Sequence, residues 1–236
     1  MKISDVFLDA GGVLLDETDE ETFRGKLAVK ALKEVIPDYN HEMLQKDLKE
    51  SVASFSPHTY QYVFWKRLGR DPGRFDDIYR PYREKWLNNR PALRLMDGII
   101  PELKAMSQYF RLGIAGQYGP VLLDTLKANG ALRYFSCQAT QDDFPITKPD
   151  PRYLEMILQT CASRPECSIM VGDRVDNDVV PAKQLGMLTV RIRTGLYRVQ
   201  EPRIPSEVPD RELDSVVGLA DTVLELAQSA KKNPDS

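Results

Sequence analysis

The sequence has few of the residues that form covalent cross-links or soft-ligand metal sites. It contains three cysteines in 236 residues, Cys137, Cys161 and Cys167, and no two of them share the C-x-x-C spacing. A disulfide-rich scaffold or a zinc site needs more cysteines at closer, paired spacings. We therefore expect no disulfide framework and no zinc site, and a reducing cytoplasm is the favoured location.

The sequence also lacks long apolar runs and a surplus of positive charge. No apolar stretch approaches the roughly 20 residues that span a bilayer. Asp5 and Asp9 interrupt the segment where a signal peptide would have its apolar core. Lys and Arg together number 32 against 35 Asp and Glu, which gives a formal net charge of −3. We therefore expect neither a membrane nor a nucleic acid as a partner.

What the sequence does contain is a regular alternation of strand and helix patterns, interrupted by one helical block. Residues 3–10 predict a buried strand, and residues 17–90 carry apolar residues only at helical spacing. Further strands are predicted at 111–116, 134–139, 167–173 and 187–193, and helices at 97–109, 120–130, 150–161, 177–186 and 219–232. The alternation predicts an α/β fold, a Rossmann-like parallel sheet with helices on both faces. Residues 1–16 and 91–236 would form this core domain, and residues 17–90 an inserted all-helical domain.

Polar residues and glycines stand where the predicted strands end, together with one lysine before the helix at 150–161. In chain order they are Asp9, Gly116, Gln117, Lys148, Asp173, Asp176 and Asp178. In open parallel sheets, ligands bind outside the carboxyl ends of the strands. A carboxylate buried there is costly unless it is hydrogen-bonded, paired or bound to a metal. The set therefore predicts a functional site.

Simpler interpretations apply to some of the polar residues. Asp176 is expected to be a helix N-cap, and Lys148 is also compatible with an ordinary surface position. The two histidines, His41 and His58, fall in the helical block away from the strand ends. We expect both histidines at the surface or at an interface rather than in a catalytic site.

Three stretches of the sequence together resemble the haloacid dehalogenase-like (HAD) hydrolase superfamily. They are VFLDAGGVLLD at 6–16, KPDPRYLEMIL at 148–158 and VGDRVDNDVVPAKQLGM at 171–187. The resemblance covers nearly the whole chain, with the block at 17–90 in the place of that family's type-1 helical cap. It implies a hydrolase that acts on a small phosphorylated metabolite with Mg²⁺ as cofactor, as a monomer or a homodimer.

The resemblance implies catalytic roles for three side chains. Asp9 matches the family's nucleophile, a carboxylate that attacks phosphorus and forms an aspartyl-phosphate. Lys148 matches the lysine that neutralises the nucleophile and binds the phosphoryl oxygens. Asp178 matches the second acid of the last motif, which orients the waters of the metal or the lysine.

The resemblance also implies a magnesium site and a phosphate contact. Asp9, Asp173 and the backbone carbonyl of Gly11 match the metal ligands, which are hard oxygen donors of the kind that Mg²⁺ prefers. Gly116 and Gln117 match the phosphate-binding motif that follows the second strand.

Two departures from the family pattern leave the activity open. A second Asp usually stands two residues after the nucleophile and protonates the leaving oxygen, but here that position is Gly11. The Ser or Thr that usually binds the phosphoryl oxygens is replaced by Gly116. We favour a Mg²⁺-dependent phosphatase with weakened acid catalysis. The alternatives are a dehalogenase or phosphonate hydrolase, and a non-catalytic member that binds a phosphorylated ligand or a protein partner.

Overall fold

The computed structural model describes residues 2–140 and 143–232. Contacts within the chain divide it into two compact units. One comprises Met1–Asp16 and Leu93–Ser236, and the other comprises Glu17–Ala92. Within the described residues, no helix combines the length and the apolar character that crossing a membrane requires.

The first unit is built on a parallel sheet that has six strands within the described residues. They are β1 Asp5–Leu8, β4 Arg111–Ile114, β5 Phe135–Cys137, β6 Ser168–Gly172, β7 Leu188–Ile192 and β8 Arg211–Leu213, in the spatial order β5-β4-β1-β6-β7-β8. Two short strands, β2 Leu15–Asp16 and β3 Arg94–Leu95, form a separate antiparallel pair. Every pairing in the large sheet is parallel, which confirms the predicted α/β class. β8 has no counterpart among the predicted strands.

Helices cover both faces of this sheet. In the described part of the unit they are α5 Ile99–Met106, α6 Pro120–Ala128, α7 Pro151–Thr160, α8 Val180–Gln184 and α9 Leu219–Lys232. A π-helical turn, Val175–Val179, precedes α8, so the helix predicted at 177–186 begins as a wider turn. This widened turn carries Asp178.

β1 lies at the centre of the sheet, and its side chains are buried on both faces. Val6 and Leu8 belong to the apolar core that includes Leu103 of α5. Phe7 points to the opposite face and belongs to the core that includes Leu154 of α7. Successive side chains of a strand point to opposite faces, so an unbroken apolar run is what a doubly covered central strand requires.

Two neighbouring residues, Asp150 and Pro151, mark the start of α7. The Asp150 carboxylate accepts a hydrogen bond from the Arg152 N–H at 3.0 Å, and Pro151 occupies the first helical position. Lys148 lies two residues before this cap, and Tyr153 lies in the first turn of the helix. The start of α7 therefore places both side chains at the same end of the unit.

Two cysteines are joined in the structure. Cys137 ends β5, Cys161 directly follows α7, and a disulfide links them with their Cα atoms 5.6 Å apart. Cys167 is a free, buried thiol. The expectation of no disulfide is wrong for the first pair. Their separation of 24 residues carries no signal of proximity, because only the packing of α7 against the sheet brings the two together.

The second unit is all-helical, as the pattern over 17–90 predicts. Its helices are α1 Thr18–Lys33, α2 His41–Ala53, α3 Thr59–Arg67 and α4 Pro72–Asn88. Asn40 caps α2 by accepting the Met43 N–H at 3.0 Å, and Asp71 caps α4 in the same way. His41 and His58 are both exposed, which agrees with the expected surface position.

Candidate active site

Three aspartates converge at the carboxyl edge of the sheet. Asp9 directly follows β1 and Asp173 directly follows β6, and these two strands are parallel neighbours. The Asp9 N–H donates to the carbonyl of Val171 at 2.9 Å, which fixes the end of β1 against β6. Asp178 comes from the π-helical turn. One carboxylate oxygen from each aspartate lies within 4.8 Å of the others, and all three residues are buried.

Lys148 connects two of these carboxylates. Its Nζ lies 2.5 Å from Oδ1 of Asp9 and 2.5 Å from Oδ1 of Asp178, and the lysine side chain has no exposed surface. Burial disfavours the ammonium form, but the charges of Asp178 and Asp9 outweigh it and hold the pKa of Lys148 above its ordinary value. Lys148 is therefore a cation at neutral pH and not the surface lysine of the simpler interpretation.

The site carries more negative than positive charge. The carboxylates of Asp9, Asp173 and Asp178 carry −3 when all are ionised, and Lys148 contributes +1, which leaves −2 among the four side chains. Buried charge of one sign is costly without a counter-ion. One divalent cation would balance it, and carboxylate oxygens are the donors that Mg²⁺ takes. The donor set therefore fits a magnesium ion.

The three carboxylates are not equivalent as metal ligands. Both oxygens of Asp178 already accept hydrogen bonds, Oδ1 from Lys148 and Oδ2 from the Arg174 N–H at 3.1 Å. Burial raises the pKa of Asp178 to about 6, and the charge of Lys148 opposes that shift. A Cβ atom at Gly172 would overlap with the side chain of Asp178, so this approach needs a glycine there. Of the three carboxylates, Asp178 therefore has a protein donor at each of its two oxygens.

The two glycines that follow Asp9 and Ala10, Gly11 and Gly12, differ in their structural roles. Gly12 has a φ of 67°, and a Cβ atom at this position would lie 2.9 Å from Oδ2 of Asp173. Its carbonyl accepts a hydrogen bond from Oγ1 of Thr194 at 2.6 Å. Backbone conformation and the approach of Asp173 therefore both require glycine at 12. Gly11 is buried and forms a bridge to Leu15, and it has no side chain with which to supply an acid.

Position 116 also requires a glycine for steric reasons. A Cβ atom there would lie 2.5 Å from Cβ and 2.9 Å from the backbone nitrogen of Ala10, the residue next to Asp9. The backbone of Gly116 therefore lies directly against the segment that carries Asp9. A serine or threonine cannot occupy this position without moving Ala10.

Sequence reasoning missed the role of Tyr153. This residue is fully buried, and its hydroxyl donates to the Gly116 carbonyl at 3.0 Å. Burial raises the pKa of Tyr153 to about 12, and Lys148, Asp9 and Asp178 are among the charges that act on it. The hydroxyl is therefore a permanent donor at neutral pH. Its place in the apolar stripe of α7 made it look like an ordinary core residue.

Two arginines hold the loop around Asp173, and sequence reasoning missed one of them, Arg191. Arg191 on β7 is fully buried, and it donates to the carbonyls of Asp173 at 3.2 Å and Tyr197 at 2.9 Å. Arg174 pairs with Asp176 at 2.7 Å and stacks on the ring of Tyr197 at 4.1 Å. The expectation that Asp176 is a helix N-cap is therefore wrong, because its carboxylate binds a neighbouring guanidinium instead.

The known proteins that this chain resembles are hydrolases. A family model described as HAD-hydrolase-like matches residues 145–219. A glyceraldehyde 3-phosphate phosphatase of Methanopyrus kandleri is 29% identical over 234 residues, which are 92% of this chain and 98% of that protein. The crystal structure of the HAD hydrolase YfnB from Bacillus subtilis, bound to magnesium, has a TM-score of 0.63 at 16% identity, covering 94% of this chain and 99% of YfnB.

These matches support the resemblance to the haloacid dehalogenase-like (HAD) hydrolase superfamily. A second relative, a phosphoglycolate phosphatase of Vibrio vulnificus, is 32% identical over 152 residues, which are 64% of this chain and 63% of that protein. These relatives support a hydrolase of the phosphatase type. In this chain, Asp9, Lys148, Asp173 and Asp178 lie together in one buried cluster. Gly116 adjoins it through Ala10, and the roles implied for all of these residues stay predictions.

Proposed function

We propose that this HAD hydrolase is a Mg²⁺-dependent phosphatase that cleaves small phosphate monoesters through an aspartyl-phosphate on Asp9. The observation that carries the proposal is the double contact of Lys148 with Asp9 and Asp178, beside the third carboxylate of Asp173. A carboxylate nucleophile, a cation for the phosphoryl oxygens and a surplus of oxygen donors together suit phosphoryl transfer.

The proposed metal ligands are Asp9, Asp173 and the backbone carbonyl of Gly11. When bound, Mg²⁺ would neutralise the charge on the phosphoryl oxygens. Asp178 is proposed to hold Lys148 in place, since both of its oxygens are engaged. Gly116 and Gln117 are proposed to contact the phosphoryl group through the backbone.

The reaction proceeds in two displacements. In the first, a carboxylate oxygen of Asp9 attacks phosphorus, the ester P–O bond breaks, and the alcohol oxygen leaves with the bonding electrons. That oxygen takes its proton from water, because Gly11 offers no acid. In the second, water attacks phosphorus, loses a proton to solvent, and displaces the Asp9 carboxylate. Inorganic phosphate is released, and Lys148 balances the charge of Asp9 before and after each turnover.

The substrate class follows from the relatives. They are phosphatases of glyceraldehyde 3-phosphate and of phosphoglycolate, both small phosphorylated metabolites. We propose a substrate of the same size class for this chain, with the helical unit Glu17–Ala92 as the cap domain that selects it. The cytoplasm, where such metabolites occur, is the proposed location.

A panel of small phosphate esters, assayed for released phosphate with Mg²⁺ and after chelation, tests the proposal. We expect release that requires Mg²⁺. Halide release from a 2-haloacid in the presence of chelator would instead favour the dehalogenase alternative. Binding of phosphate esters without hydrolysis would favour a non-catalytic member of the superfamily, which the absence of side chains at Gly11 and Gly116 makes the second candidate.

A further inference from the structure

Within the described part of the chain, the hydroxyl of Tyr153 makes one hydrogen bond, and its acceptor belongs to the backbone of the predicted phosphate-binding turn. We propose that Tyr153 is a positioning residue, whose hydroxyl holds the Gly116–Gln117 peptide so that the Gln117 N–H faces the phosphoryl group at Asp9. The bond from Tyr153 Oη to the Gly116 carbonyl is 3.0 Å long. This inference rests on the proposed phosphatase function and assigns a role to a residue for which the resemblance implies none.

The geometry of the peptide bond gives the hydroxyl its effect. The carbonyl of Gly116 and the N–H of Gln117 belong to one planar trans peptide, so they point in opposite directions. A donor that fixes the carbonyl therefore fixes the N–H as well. Among residues 2–140 and 143–232, the Gln117 N–H donates no hydrogen bond. The peptide thus has its carbonyl held inside the protein and its donor available to a ligand.

The location of this peptide is next to the nucleophile. Gly116 lies against Ala10, which follows Asp9 in the sequence. Tyr153 itself lies close enough to Lys148 and Asp9 for their charges to act on its hydroxyl. Lys148 lies just before α7 and Tyr153 lies in its first turn, so the lysine and the residue that holds the turn are five positions apart in the sequence.

The Tyr153 hydroxyl compensates for the serine or threonine side chain that the turn lacks at Gly116. A serine or threonine at 116 would donate directly to the phosphate, but Ala10 leaves no room for its Cβ. Tyr153 approaches the same backbone from α7 and acts on the carbonyl instead. A phenylalanine would fill the same apolar space, so the oxygen is the only part of the side chain that packing does not explain.

The test compares two variants that each lose one buried hydroxyl. Tyr153→Phe removes the bond to Gly116. Ser168→Ala removes a bond to the Arg164 carbonyl of 2.7 Å at the first residue of β6, the strand end remote from the site. Binding of inorganic phosphate in the presence of Mg²⁺ is measured by calorimetry, alongside kcat, KM and thermal melting. In ¹⁵N-labelled protein, the Gln117 amide resonance is followed as phosphate is added.

We expect Tyr153→Phe to weaken phosphate binding about three- to tenfold, the range that one net hydrogen bond spans. KM should rise by a similar factor, and the phosphate-induced shift of the Gln117 amide should shrink. Ser168→Ala should melt lower to a comparable degree yet bind phosphate like the parent. Equal phosphate affinity of Tyr153→Phe and the parent would overturn the role of Tyr153 while leaving the phosphatase proposal intact. A parent that neither binds phosphate nor hydrolyses esters would overturn both.

Discussion

Lys148 Nζ and Asp9 Oδ1 lie 2.5 Å apart in space although 139 positions separate the two residues in the sequence. The lysine is fully buried, and its second partner is Asp178. The contact is therefore both the centre of the proposed chemistry and a structural link between the start of α7 and the edge of the sheet.

Replacing Lys148 by methionine should destabilise the protein and abolish turnover. The change leaves the carboxylates of Asp9 and Asp178 buried without their cation, and loss of one partner from a buried ion pair typically costs about 3–5 kcal/mol. Urea unfolding without metal measures this loss. The double variant Lys148→Met with Asp178→Asn removes one unpaired charge, so its stability should partly recover. A Lys148→Met protein as stable as the parent would show that the pair contributes little to folding.

Asp9→Asn should lower turnover to background while the fold is retained, because the amide keeps the shape of the carboxylate but is not a nucleophile. Asp5→Asn is the matched control. Asp5 is the first residue of β1, is also buried, and pairs with Arg111 at the end of the strand opposite to Asp9. The folded fraction of the Asp5→Asn variant should be as active as the parent. Phosphate release by Asp9→Asn at the parent rate would mean that another residue is the nucleophile.

Magnesium should raise the melting temperature of the parent and be required for activity. A ligand at a hundredfold excess over its Kd stabilises the folded state by about 2.7 kcal/mol. For a chain of this size that corresponds to an increase of very roughly 5–10 °C. Asp173→Asn should lose most of the increase, since it removes a proposed ligand and reduces the excess negative charge. The Asp5→Asn control should keep it, and a metal-independent melting temperature in the parent would argue against a magnesium site.

Gly11→Asp should favour poor leaving groups. With no acid at position 11, aryl and acyl phosphates, whose leaving groups are stable anions, should react faster than alkyl phosphates. An introduced carboxyl should raise kcat/KM for an alkyl phosphate by about tenfold, within the roughly 10²–10⁴-fold that a positioned acid provides. Gly12→Asp is the control and should give no such gain, because φ at Gly12 is 67° and Asp173 occupies the space that a side chain would need. An unchanged alkyl-to-aryl ratio in a folded Gly11→Asp protein would show that protonation is not limiting.

Gly116→Ser should destabilise the protein rather than restore the family motif. Its Cβ would meet Ala10, and overpacking of this kind costs about 1–3 kcal/mol. Ala10→Gly removes the Cβ in the way, so the double variant should be more stable than the sum of the two single effects. Urea unfolding of all four proteins measures the coupling. Strict additivity would mean that the two positions do not compete for the same space.

Local pattern explains why much of the fold and the site is predictable from the sequence. Val6, Phe7 and Leu8 form an apolar run too short for a helix, and the charge of Asp9 marks where the strand ends. Asp150 and Pro151 locate the start of α7 in the same way. In a parallel sheet the residues after each strand share one edge, so the convergence of Asp9 and Asp173 follows once the strands are known.

Other features depend on packing between segments that are distant in the sequence. Tyr153 occupies an apolar position of α7, and nothing in its periodicity shows that the hydroxyl reaches Gly116. Arg191 stands in a strand at a position where a polar residue is ordinarily exposed, yet it is fully buried against the Asp173 carbonyl. Cys137 and Cys161 become neighbours only when α7 packs on the sheet.

The central place of β1 has a consequence for how the chain folds during synthesis. β1 is made before either of its neighbours, since β4 begins at Arg111 and β6 at Ser168. Its apolar residues stay unpaired while the whole helical unit is translated. Such non-local pairing slows folding and leaves apolar segments exposed. A nascent chain stalled before β6 should therefore bind chaperones through Val6, Phe7 and Leu8.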